Sequence, residues 1–148
     1  MKERFETFTL LINNINRSIR KIKTEEMKDF NLKSNQISCI YFLYKKVTLT
    51  ATELTEMCDI DKAAISRSLD FLEKNGYIKC ESQAKKRYKS DFTLTEKGKE
   101  IGYFISCKVD EVVEKSSLGL SKEKLEIFYE GLNLINDNLR KMIETGEE

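Results

Sequence analysis

Asp61-Lys62-Ala63-Ala64-Ile65-Ser66-Arg67-Ser68-Leu69-Asp70-Phe71-Leu72-Glu73-Lys74-Asn75-Gly76-Tyr77-Ile78 is the stretch on which the fold turns. Asp61 is an N-cap residue type, and Gly76 stands where a helix hands over to a left-handed residue. Between them the spacing predicts a helix from Lys62 to Asn75. At about 100° per residue, Ile65, Leu69 and Leu72 share one side and should face a core. Ala63, Arg67, Asp70 and Lys74 fall opposite, with Lys62 and Ser66 on a flank. After Gly76 the period changes from helical to alternating.

Upstream, Thr50-Ala51-Thr52-Glu53 reads as a capping box, with Thr50 as N-cap and Glu53 three residues on. It opens a short helix carrying Leu54 and Met57, and Cys58-Asp59-Ile60 is the turn before Asp61. Two short helices joined by such a turn make a helix-turn-helix. Ser34 is expected to cap an earlier helix that carries Ile37, Ile40, Tyr41 and Tyr44 and ends near Lys46. Downstream, Tyr77 to Glu81 and Asp91 to Leu94 read as two strands of a hairpin. Their loop holds Lys85, Lys86, Arg87 and Lys89, four cations within five positions. Thr95-Glu96-Lys97 starts a helix with apolar positions at Ile101, Phe104, Ile105, Val109 and Val112. Gly98 and Gly102 cost that helix about 1 kcal/mol each relative to Ala, unless they permit close packing.

Both ends of the chain carry a narrow apolar seam. Phe5, Phe8, Ile12, Ile15, Ile19 and Ile22 predict a helix from about residue 4 to 23, widened by Leu10 and Leu11. Leu125, Phe128, Leu132, Ile135, Leu139 and Met142 repeat the same steps, with Ser121 as N-cap. Each seam either packs on its own core or pairs with a second copy. The second reading is favoured, because the stripes are longer than one small core covers.

Composition sets the outer limits. The 148 residues hold 26 Lys and Arg against 25 Asp and Glu, a net charge of +1, and no His, Pro or Trp. The length suits one domain. Without His there is no His-based triad and no imidazole metal ligand, and neither a metal nor a cofactor is expected. No nucleophile–base pair, glycine-rich phosphate loop or carboxylate pair stands out, so an enzyme is not expected. No apolar run reaches membrane-spanning length, and the charged Met1-Lys2-Glu3-Arg4 start is not a signal peptide; a soluble cytoplasmic protein is expected. Cys39, Cys58, Cys80 and Cys107 are far apart and expected as free thiols. The neutral total hides a split: residues 62–99 hold 10 basic and 5 acidic side chains, residues 100–148 hold 6 and 11.

The order of these elements resembles the MarR (multiple antibiotic resistance regulator) family of winged helix-turn-helix transcription regulators. Leu54 to Met57, Asp61 to Ile78, and Thr93-Leu94-Thr95-Glu96-Lys97-Gly98 carry the resemblance. The family's patterns are similar: "L-x-x-L-E-x-x-G" before two hydrophobic residues, then "L-T-x-x-G" after the wing. The resemblance implies a mainly α single domain over residues 1–148 with a two-stranded wing. Residues 34–95 would form the DNA-binding part, and 4–23 with 96–145 the helical dimerisation part. It further implies a homodimer on a pseudo-palindromic double-stranded operator, with recognition helices about 34–36 Å apart. Most relatives repress transcription, and many release DNA when a small ligand binds. In this chain the candidate effector pocket would draw on Arg17, Tyr41 and Tyr44. One departure stands out. The family's wing often carries Asp-x-Arg, whereas this wing has no Asp, and Arg87 lies about one position from the usual arginine.

The residues themselves nominate the contacts. A recognition helix leads into the major groove with its N-terminal residues, here Lys62, Ala63, Ser66 and Arg67. Arg67 suits guanine O6 and N7, and Ala63 suits a thymine methyl. Lys85, Lys86, Arg87 and Lys89 of the wing would reach phosphates or the minor groove. The helix starts at Ser34 and Thr50 offer amides to phosphates. Two alternatives remain: a winged-helix protein-interaction module that regulates without DNA, and a thiol-responsive regulator. For the latter Cys58 is the candidate, although Asp59 and Asp61 beside it should raise its pKa; Cys39 and Cys107 read as core. Arg67→Ala is expected to lower discrimination between operator and random DNA by about 1–3 kcal/mol, while Lys85→Ala weakens both alike and reduces the salt slope. Anisotropy titrations at several salt concentrations measure both, and equal loss on the two DNAs for Arg67→Ala would remove it from base reading.

Overall fold

A computed structural model describes residues 2–81 and 89–145. The chain divides into two compact units, Met1–Lys108 and Val109–Glu148. The elements run α1 (Lys2–Glu26), a 3-10 turn (Lys28–Phe30), α2 (Ser34–Lys46), β1 (Thr48–Thr50), α3 (Ala51–Cys58), α4 (Lys62–Lys74), β2 (Ile78–Cys80), β3 (Asp91–Leu94), α5 (Glu96–Ser116) and α6 (Lys122–Thr145). The mainly α, winged helix-turn-helix expectation is borne out.

The sheet has one strand more than the hairpin expected from the sequence. Its order is β1-β3-β2, antiparallel throughout, with Leu49 opposite Phe92 and Ile78 opposite Leu94. Alternation sends Leu49, Ile78, Phe92 and Leu94 inward. They join Ile37, Ile40 and Leu43 of α2, Leu54 of α3, and Ile65, Leu69 and Leu72 of α4, all nearly or fully buried. Helix α2 is the hub of this core, lying against α1, α3, α4, β1 and β3.

The caps explain where the helices start. Thr50 Oγ1 accepts from the Glu53 amide at 3.2 Å, and the Thr50 amide donates to Glu53 Oε2 at 2.7 Å, completing the capping box. Asp61 Oδ1 accepts from the Ala64 amide at 2.9 Å. For α2 the cap falls one residue earlier than expected. Lys33 is the N-cap, its amide donating to Gln36 Oε1 at 2.8 Å, and Ser34 is already helical.

The junction of α4, β2 and α5 unites the two sequence motifs. Gly76 takes φ +74°, turning the chain out of α4, and the Tyr77 amide donates back to the Leu72 carbonyl at 2.9 Å. Thr95 then grips this corner. Its amide donates to the Tyr77 carbonyl at 3.0 Å, and its hydroxyl donates to the Gly76 carbonyl at 2.6 Å. The same hydroxyl oxygen accepts from the Gly98 amide at 3.1 Å, capping α5. A Cβ on Gly98 would stand 1.9 Å from the Tyr77 carbonyl oxygen, so no other residue fits without moving the backbone. Gly102 makes the second close approach, its Cα face meeting the Tyr44 ring. Lys97 completes the corner, donating to the Asn75 carbonyl at 2.8 Å with its ammonium 4.2 Å from the Tyr77 ring centre.

One residue is placed against its own preference. Val47, exposed between α2 and β1, holds φ +72° and ψ −50°, a conformation that crowds a β-branched side chain. Relief of that strain outweighs the added chain entropy of glycine, so Val47→Gly should stabilise the protein by about 1 kcal/mol. Gly98→Ala should cost about 3 kcal/mol through overpacking against the Tyr77 carbonyl. Urea unfolding of both variants reads the two effects, and an unchanged midpoint for Gly98→Ala would contradict the close approach.

Candidate nucleic-acid interface

Helix α4 has two chemically distinct faces. Ile65, Leu69 and Leu72 anchor it to the core, and Ser68, which the sequence reading left unassigned, is buried with its hydroxyl donating to the Ala64 carbonyl at 2.9 Å. Lys62, Ala63, Arg67, Asp70 and Lys74 are exposed, and Ser66 is half-buried. The helical-wheel assignment therefore holds residue by residue. Small Ala63 beside Lys62 and Arg67 leaves room for a close approach to a flat or grooved partner.

A cleft of about 350 Å³ lies between the start of α2 and α4, lined by Lys33, Asn35, Gln36, Ala64, Arg67 and Phe71. It brings Arg67 to the same opening as Lys33 and Asn35, two residues the sequence reading did not single out. Their signal was the N-terminal position on α2, next to a helix end that carries partial positive charge. Ser34 is half-buried in that first turn. Thr50 is half-buried too, and its amide and hydroxyl both donate to Glu53. Those two hydrogen bonds hold the Glu53 carboxyl below the usual carboxylate range. The start of α3 thus already carries an anion of its own.

The wing is described only at its base. Lys85, Lys86 and Arg87 lie outside the described residues, and Lys89 is exposed just before β3. Glu81 at the other side of the base accepts from Lys79 at 2.8 Å and from the Thr93 hydroxyl at 2.6 Å, which lower its pKa in that order.

The three candidate effector residues are each engaged with different neighbours. Arg17 is exposed on α1 and donates to Asn14 Oδ1 at 2.8 Å. Tyr41 meets the Phe42 ring edge-on with centroids 5.4 Å apart, and Lys45 stands over it at 5.7 Å. Tyr44 packs over Gly102. Among the described residues no cluster of three or more Cys, Asp or Glu suits a metal ion, and no helix is long and apolar enough to cross a membrane.

Residues 36–104 match a family described as winged helix DNA-binding domain. No curated protein matches the chain. Among solved structures, a MarR family regulator from Neisseria meningitidis superposes with a TM-score of 0.80 at 19% identity, covering 97% of this chain and 99% of that one. The chain has the fold of the MarR regulators. A MarR-type relative from Listeria monocytogenes complexed with 26mer DNA is similar at 23% identity and a TM-score of 0.79, covering 93% of each chain. Staphylococcus aureus MarR in complex with salicylate and kanamycin is similar at 21% identity and a TM-score of 0.76, covering 93% of this chain and 96% of that one. The resemblance read from the sequence is borne out in its fold, and the segment matched by the winged helix DNA-binding model contains α3, α4, β2 and β3. Within it, the cap that starts α4 is a single carboxylate. Asp61→Ala should lower stability by about 1 kcal/mol, read as a shift in urea midpoint; a shift near zero would mean that water caps the Ala64 amide equally well.

Proposed function

We propose that this chain is a sequence-specific DNA-binding transcription regulator of the MarR family, acting as a cytoplasmic homodimer that represses from a pseudo-palindromic operator. The observation that carries the reading is the outer face of α4. Lys62, Ala63 and Arg67 are exposed on a helix whose inner face is locked into the core, so the contact residues are presented by a rigid element. Lys85, Lys86, Arg87 and Lys89 would follow the wing to flanking phosphates, and Ser34 and Thr50 would lie at the phosphate backbone beside it. The relative complexed with 26mer DNA supports this mode.

Exposed apolar seams support the dimer. Leu10, Leu11, Ile15, Ile19 and Ile22 are exposed on α1, and Phe128, Ile135, Leu139 and Met142 are exposed on α6. Helix α6 has no buried residue at all. A stripe of this kind calls for a second apolar surface, and a second copy supplies one by symmetry. Release by a small effector is the further part of the proposal. The salicylate complex of a relative supports it, with Arg17, Tyr41 and Tyr44 as the residues to test.

A mobility shift on duplex DNA from the chain's own upstream region tests the main reading: a band that survives random competitor DNA is expected. Failure to bind any duplex at low salt would favour the protein-interaction module instead. Leu139→Glu, placing a charge on the α6 seam, should halve the mass seen by light scattering and weaken operator binding at least tenfold, as expected when two half-sites no longer act together. A wild-type protein that is already monomeric would overturn the dimer.

A further inference from the structure

The cleft of about 350 Å³ between the start of α2 and α4 lies within the Met1–Lys108 unit. Ala64 and half-buried Phe71 form its apolar part, the rest of its lining is polar, and no carboxylate belongs to it. Lys33 and Arg67 are exposed at its rim, and neither forms an ion pair among the described residues. Helix α2, 13 residues long, begins here on a cation, Lys33, and has no acidic residue in its first turn. Helix α3 by contrast starts beside Glu53, and α4 on Asp61. The first turn of α2 therefore keeps its partial positive charge uncompensated.

The decisive group is Gln36, which the sequence reading did not single out. It is only 6% exposed. Its Oε1 accepts from the Lys33 amide at 2.8 Å, and that bond settles which way round the side-chain amide sits. The two N–H donors of Nε2 have no acceptor among the described residues. No buried side-chain nitrogen there is sealed from solvent without a partner, so Nε2 keeps an opening, and the opening that Gln36 lines is this cleft. Donors held ready on a buried side chain call for an acceptor. Together with two cations and a helix start, and with no carboxylate near, they select an anion rich in acceptor oxygens.

We propose that the cleft seats one phosphate of the DNA backbone. The inference rests on the DNA-binding reading of α4 and adds a contact that carries no sequence information. Gln36 Nε2 donates to one phosphate oxygen, the first-turn amides of α2 face another, and Lys33 supplies the charge. Arg67 stands at the same rim, so the seated phosphate holds the duplex beside the side chain that enters the groove. A flexible surface lysine only keeps α4 near the duplex. A buried amide has little rotamer freedom left to lose and sets how deep α4 enters. Free phosphate shares this chemistry, and the test separates the two sources.

Gln36→Glu is the informative variant. Glu keeps an oxygen for the Lys33 amide, and an acidic residue suits a first turn, so the urea midpoint should hold or rise. The donors become a carboxylate oxygen, so affinity for duplex DNA from the chain's own upstream region should fall about tenfold. Single methylphosphonates, each removing one backbone charge, are then placed along the footprint. One position in each half-site should weaken binding by the unaltered chain, and the same position should strengthen binding by Gln36→Glu. Lys33→Gln should weaken operator and random DNA alike and reduce the salt slope by about 0.9. That exposed substitution tests the seat if the Gln36 variant fails to fold. Duplex binding with no position of reversed sign would overturn the seat and leave DNA binding intact, whereas an unaltered chain that binds no duplex would remove the reading beneath it. Thermal stabilisation by inorganic phosphate over chloride at matched ionic strength, lost in Gln36→Glu with no reversed position on the duplex, would assign the cleft to free phosphate and overturn the backbone as its occupant.

Discussion

The carbonyl of Tyr77 ties the winged helix together. It accepts from the Thr95 amide, receives a second, longer contact from the Thr95 hydroxyl at 3.2 Å, and projects into the space that Gly98 leaves by lacking a side chain. Three elements meet there: the end of α4, the first strand after it, and the start of α5. A backbone carbonyl withdrawn from water must be paired, so the corner closes in one arrangement or costs the free energy of a lost hydrogen bond. The "E-x-x-G" and "L-T-x-x-G" patterns lie nearly twenty residues apart in the chain. They describe the two sides of this one contact.

From that corner the outer face of α4 follows. Its C-terminal end is fixed by Gly76, Asn75 and Lys97, and its inner face by Ile65, Leu69 and Leu72 against α2, which leaves no freedom of rotation about the helix axis. The exposed side chains are therefore an output of packing. Arg67 points outward because Ile65 and Leu69, two positions before and after it, point inward. Rigidity of this kind suits recognition, since less ordering entropy is lost when a partner binds.

Much of this was legible in the sequence, and what was not has physical reasons. The caps at Thr50 and Asp61, the glycine at 76 and the helical period of Ile65, Leu69 and Leu72 are local signals, and they read correctly. Strand β1 escaped because Thr48–Thr50 is only three residues long and its partner, Asp91–Thr93, lies more than forty positions later. The cap of α2 slipped to Lys33 because Gln36 closes the turn from the helix side, and a serine next door looked the better residue type. The Cys58 thiol is held below its ordinary range rather than raised, by Cys39 and then Lys23, both far from it in the sequence, and Cys107, expected in the core, is exposed. Of the candidate contacts, the α4 residues were legible because burial of one face dictates exposure of the other. The proposed roles of Arg17, Tyr41 and Tyr44 rest on the family alone.

The carboxylate of Asp61 has a consequence beyond starting a helix. It occupies the positive end of α4, where a bare helix would offer its amides to any passing phosphate. On the proposed function, a helix capped in this way would meet every stretch of nucleic acid with a small local repulsion, the same for all sequences, and only a site that satisfied Arg67 and its neighbours would offset it. The cap would then shorten the dwell time on the vast excess of wrong sites and leave the chain free to keep searching.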